Sequence, residues 1–170
     1  YINFASNYSW LPYPGSPWNN VRSDTASNLK DDQGNNSSVS LNLQTNWWAS
    51  YTNGAQTGNN SGVYSDTVLR DYYYFGTSGG PNTVTGSVTG LDTTKTYSIT
   101  FFASSLWQIR PDNGHTVYQI GSRKDSIEVQ NNRSQVVTFS NLSPASGGVI
   151  TFTMSKGADA SAGYLNSMVI

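Results

Sequence analysis

The chain contains no cysteine, one histidine and one glutamate among 170 residues. Without cysteine it can build neither a disulfide framework nor a thiolate metal centre. Charged residues amount to 11%, with a formal net charge of −1, well below the usual quarter. A surface so poor in charge offers no basic stripe for nucleic acid and no attraction to an acidic membrane. No apolar run approaches the roughly 18 residues of a membrane-spanning helix. Helical periodicity is missing as well.

The scarcity of catalytic residue types argues against an enzyme. His115 lies in the turn Asp112-Asn113-Gly114-His115, with no nucleophile elbow to link it to a serine. Glycoside hydrolysis needs two carboxyl groups about 5–10 Å apart across a cleft. Glu128 alternates with Ile127 and Val129 and is expected to face solvent on a strand. Asp66 and Asp71 flank Thr67-Val68-Leu69-Arg70, and pairing of Asp71 with Arg70 or capping of a turn is the favoured reading. No catalytic residue is assigned.

What fills the composition instead is Ser, Thr, Asn, Gln and Gly, together with 11 Tyr and 5 Trp. That mixture suits secreted all-β proteins and the surfaces that bind carbohydrate. Apolar and polar residues alternate at Val39, Leu41 and Leu43, at Tyr97, Ile99 and Phe101, at Ile127 and Val129, and at Ile150, Phe152 and Met154. Period two is the signature of a strand with one buried face. Further strands are expected at 2–4, 83–88, 116–120, 136–139 and 165–170. Turn signals separate them, among them Asn53-Gly54, Gly79-Gly80-Pro81-Asn82 and Ser146-Gly147-Gly148. Many short strands joined by such turns predict an all-β, two-sheet antiparallel β-sandwich of the jelly-roll kind, a single domain over 1–170. The chain reads as a mature module excised from a larger secreted protein, and as a monomer.

Three segments break the strand rhythm: 7–21, 47–74 and 104–115. Long irregular loops in a compact domain commonly carry function. Their aromatics are the strongest signal in the chain. Adjacent residues on a strand point to opposite faces, so Trp47-Trp48 and the run Tyr72-Tyr73-Tyr74-Phe75 are expected to send some rings outward. Flat amphipathic rings stack on the apolar faces of sugars. Trp47, Trp48, Tyr72, Tyr73 and Trp107 are therefore the expected ligand platforms, with Tyr51 and Tyr74 beside them. Arg110 and His115, close after Trp107, would hydrogen-bond sugar hydroxyls. No cofactor is expected. The string Asp31-Asp32-Gln33-Gly34-Asn35-Asn36 carries oxygen ligands of the kind a structural calcium ion prefers, although a plain hairpin turn between Leu29 and Val39 explains the same residues without a metal and is the favoured reading.

Several strings resemble galactose-binding-like β-sandwich carbohydrate-binding modules appended to secreted bacterial polysaccharide-degrading enzymes. They are Trp18-Asn19-Asn20, Val68-Leu69-Arg70-Asp71-Tyr72-Tyr73, Gly90-Leu91-Asp92 with Lys95-Thr96-Tyr97, Phe101-Phe102-Ala103-Ser104, and Gly163-Tyr164-Leu165-Asn166-Ser167-Met168-Val169-Ile170. The resemblance implies a jelly roll that binds polysaccharide or oligosaccharide and tethers a covalently linked catalytic domain, outside a bacterial cell or on its surface. It brings no catalytic residues with it. Where an Arg often follows Ser104 in such modules, this chain has Ser105-Leu106-Trp107, which marks Trp107 as a local specialisation. Two other readings remain open: a structural or adhesion sandwich of a cell-surface protein, and a small glycan hydrolase or esterase.

Overall fold

The computed structural model describes residues 1–7, 10, 12–43, 49–77, 80–107 and 114–170. The strands fall into three groups. One sheet of five contains β1 (Ile2–Phe4), β2 (Asn19–Val21), β8 (Tyr97–Phe102), β11 (Val137–Leu142) and β14 (Ser167–Val169), in the order β11-β8-β14-β1-β2. A sheet of six contains β3 (Thr25–Ala26), β4 (Ser40–Leu43), β7 (Thr83–Thr89), β9 (His115–Ile120), β10 (Arg123–Glu128) and β12 (Ile150–Lys156), in the order β10-β9-β12-β7-β4-β3. All pairings in these two sheets are antiparallel except β1 with β2. The predicted all-β sandwich is what the chain forms.

Alternation explains the core. On β8 the side chains of Ile99 and Phe101 turn inward, and on β12 those of Ile150, Phe152 and Met154 do the same. Phe101 lies at the centre. Its ring stacks on Tyr118 of β9 at 4.7 Å between centroids and meets Phe152 of β12 at 5.3 Å and Phe139 of β11 at 6.2 Å. One ring from the five-stranded sheet thus touches two from the six-stranded sheet. Room for Phe152 comes from Gly86, its cross-strand neighbour on β7. A Cβ at that position would stand 2.3 Å from the phenyl ring, so the strand has a glycine where a larger residue would displace the core.

The third group is a small sheet, β13-β6-β5, made of β5 (Ala49–Tyr51), β6 (Tyr72–Phe75) and β13 (Gly163–Leu165). A single helical turn, α1 (Asp66–Arg70), leads into β6. Five residues are too few to display a helical period, which is why sequence patterning passes over it. The small sheet corrects one expectation. Tyr72 and Phe75 are fully buried and Tyr73 is 6% exposed, while Tyr74 alone of the run is half-buried. The aromatic run is thus mostly covered on both faces, and only Tyr74 keeps an open side. Tyr73 meets Phe4 edge-on and its hydroxyl donates to the carbonyl of Val21.

The loop containing Asp31 takes the hairpin form. Leu29 and Val39 pair across it, Gly34 adopts a positive φ of 85°, and Asp31 accepts from the amides of Gln33 and Asn35. These hydrogen bonds hold the Asp31 carboxyl below its ordinary pKa, chiefly through the Asn35 amide. Asp66 likewise closes its own loop, accepting from the amide and hydroxyl of Thr57 and the amide of Asn60. Asp71 pairs with Arg70 at 2.6 Å in the interior. Each carboxylate of the sequence-level pair Asp66 and Asp71 is therefore engaged in a structural contact of its own.

Candidate functional site

The small sheet gathers four tyrosines on one face. Cross-strand register sets Tyr51 opposite Tyr72 and Tyr164 opposite Tyr74. Directly opposed residues on a sheet project the same way, so the four rings form one patch. Tyr72 touches Tyr164 at 5.2 Å, Tyr74 at 6.2 Å and Tyr51 at 6.5 Å. Trp107 lies over this patch, 5.4 Å from Tyr51 and 6.2 Å from Tyr74, tilted against both. Tyr72 and Tyr164 form the buried floor. Tyr51 is 42% exposed, and Tyr74 and Trp107 are half-buried. Burial raises the pKa of both floor phenols, so they stay neutral hydroxyls under any ordinary condition.

Trp107 is anchored from behind. Its amide donates to Ser105 Oγ at 3.0 Å, and the Ser105 hydroxyl in turn reaches that of Tyr72. The Ser105 amide donates to the carbonyl of Val129, and Leu106 to that of Asn53. The backbone beneath the indole is thus fixed to two other segments. A platform whose rings are positioned before any ligand arrives loses less entropy on binding.

His115 lies at the same end of the sandwich, where β9 begins and β10 ends. It pairs directly with Glu128 across the β9–β10 ladder. Asp159, from the loop after β12, closes the group: His115 Nδ1 is 2.8 Å from Asp159 Oδ2 and 3.9 Å from Glu128 Oε2. The Asp159 carboxylate also accepts from the His115 amide at 3.2 Å. The bond to Asp159 raises the His115 pKa and lowers that of Asp159, since each stabilises the charged form of the other.

The sequence-predicted residues therefore meet different fates. Tyr72 and Tyr73 are interior. Trp107 and His115 stand at the partly open end, alongside Tyr51 and Tyr74. Trp47, Trp48 and Arg110 lie outside the described residues. Tyr164 and Asp159 carried no local sequence signal, because cross-strand register brings Tyr164 to the patch and a loop brings Asp159 to His115. Of the strings behind the family resemblance, the asparagines are structural and the tyrosines Tyr72 and Tyr164 floor the patch: Asn19 bonds Tyr1 and Lys30, Asn20 bonds Asn3 and Pro14, and Asn166 bonds Ser104 and Leu69.

A concavity of about 410 Å³ opens at the other end of β8 beside Tyr97, between Tyr1, Leu29, Leu91 and Ile170. The six residues of β8 separate it from the tyrosine patch by roughly 20 Å. Among the described residues no helix is long and apolar enough to cross a membrane. No protein-family model, curated protein or solved structure matches this chain.

Proposed function

We propose that the protein is a non-catalytic carbohydrate-binding module that holds a secreted bacterial glycan-active enzyme on a polysaccharide. The observation that carries this reading is the pre-anchored, half-open cluster of Tyr51, Tyr74 and Trp107. Its rings present apolar faces for the C–H face of a sugar ring, and their phenol and indole groups can hydrogen-bond at the edges. Two or three stacked residues would supply about −4 to −8 kcal/mol, a millimolar to micromolar affinity. That range suits a module that concentrates its enzyme through repeated, reversible contact.

Affinity electrophoresis through gels containing plant and algal polysaccharides tests it. Trp107→Ala is expected to weaken retention about tenfold, corresponding to roughly 1.4 kcal/mol. Tyr51→Ala should act in the same direction. Tyr1→Ala, at the far end of β8, should leave retention intact. Unchanged migration of folded Trp107→Ala, Tyr51→Ala and Tyr74→Ala proteins, in a gel that retards the unmodified chain, would remove the platform from consideration. The mutual packing of the same rings also suits a structural spacer in a cell-surface protein, and absence of retention on every glycan would favour that role.

A further inference from the structure

His115, Glu128 and Asp159 form a group that sugar stacking does not require. The geometry points to a binding site for one divalent first-row transition cation of the zinc type, held by His115 Nδ1 and one carboxylate oxygen each from Glu128 and Asp159. The inference is independent of the carbohydrate reading, because it uses none of the rings.

Three features support it. First, the donor atoms lie within 4.8 Å of one another although they come from β9, β10 and the loop after β12. Bonds of about 2.0–2.2 Å at a tetrahedral ion place neighbouring donors roughly 3.3–3.5 Å apart. The observed separations of 2.8 and 3.9 Å from Nδ1 bracket that span, so small side-chain rotations suffice.

Second, the backbone makes room for the group. A Cβ on Gly114 would stand 2.5 Å from Asp159 Cγ, and one on Gly157 would stand 2.6 Å from Asp159 Oδ1. Two flanking positions thus lack the side chain that would expel the carboxylate. The Asp159 loop is further tied down by the Gly157 amide, which donates to the carbonyl of His115 at 2.7 Å.

Third, the negative charge is poorly compensated. Among the described residues, no Lys or Arg lies within ion-pair distance of Glu128 or Asp159, and His115 is the only basic partner of either. Two carboxylates sharing one imidazole invite a further cation. The imidazole nitrogen selects the class of ion: calcium and magnesium take oxygen donors, whereas zinc takes His with Asp or Glu. All three side chains are about half exposed, which leaves the fourth position of a tetrahedral ion to water.

The test is calorimetric titration of ZnCl2 into chelator-treated, tag-free protein, with CaCl2 and MgCl2 as comparators. One zinc ion per chain is expected, bound at least tenfold more tightly than calcium or magnesium. His115→Ala and Asp159→Asn should each weaken zinc binding tenfold or more, and Glu128→Gln should weaken it by a smaller factor. Because His115 is the only histidine in the chain, its imidazole nitrogen resonances give a second readout, and the Nδ1 signal should move on zinc addition. A Kd for zinc above 1 mM, undiminished binding in His115→Ala, or an unmoved Nδ1 signal at saturation would each overturn the assignment. Polysaccharide retention run with and without zinc keeps the two readings separable, since loss of either activity alone leaves the other standing.

Discussion

Asp71→Ala is expected to destabilise the fold by about 3–5 kcal/mol, a large part of the total stability of a domain this size. The reason is what the change leaves behind. Arg70 and Asp71 side chains are 4% and 0% exposed. The guanidinium donates through Nε to Asp71 Oδ1 at 2.6 Å and through an Nη to Oδ2 at 3.4 Å, and an Nη also reaches the Pro12 carbonyl at 3.3 Å. Removing the carboxylate strands a buried cation. It also removes the carboxylate oxygen to which the Ser6 amide donates. A buried pair is not in itself strongly stabilising, because both ions have been taken out of water. The double variant Arg70→Met/Asp71→Ala is therefore expected to lose less than Asp71→Ala alone. Urea denaturation of the three proteins checks this. A double variant less stable than the single one would refute the stranded-charge account.

This pair shows which features sequence reading reaches. Asp71 follows Arg70 directly, so pairing of the two or capping of a turn is the favoured sequence reading, and pairing is what the structure shows. The long strands were legible for a related reason. In β4, β8, β12 and much of β9, one face meets the core and the other meets solvent, so period two is written into the residues. The strands that escaped are β2, β3, β5, β6 and most of β13. They span two to four residues each, too short for any alternation to register.

The candidate site was legible only in part, and for a physical reason. Composition pointed to aromatic platforms, and Trp107 and His115 do stand at one partly open end. Sequence could not say which rings of the Tyr72 to Phe75 run are covered, because that depends on which strands flank β6. With β5 on one side and β13 on the other, Tyr72 becomes floor and Tyr74 becomes rim. Tyr164 joins the patch from 90 residues away through the register of β13 with β6. Asp159 reaches His115 across 44 positions. Contacts of that separation arise from topology and leave no local pattern.

Asn166→Ala should have the other large effect, about 2–5 kcal/mol, and it acts on both fold and site. Asn166 sits between β13 and β14, where the chain passes from the small sheet to the five-stranded one. Its side chain is fully buried; Oδ1 accepts from the Ser104 amide at 2.7 Å and Nδ2 donates to the Leu69 carbonyl at 2.8 Å. Truncation leaves both backbone groups without these partners, each at roughly 1–3 kcal/mol. Asn166→Asp offers no rescue, because it sets a carboxylate oxygen against the Leu69 carbonyl. The junction tolerates no added bulk either. A Cβ on Gly54 would stand 1.7 Å from the Leu69 oxygen, so Gly54→Ala should also unfold at lower urea. Ser104 is the hinge between stability and binding here. Its amide is held by Asn166, its hydroxyl accepts from the Ala55 amide, and Ser105 and Trp107 follow directly. Amide exchange should therefore accelerate first at Ser104 and Ala55 in Asn166→Ala. Polysaccharide retention should fall with it under conditions where the protein is still folded, because the backbone that fixes the Trp107 indole has lost its buried anchor. Retention unchanged in a folded Asn166→Ala protein would mean that the remaining anchors of the segment, at Ser105, Val129 and Asn53, hold Trp107 without the Asn166 bond.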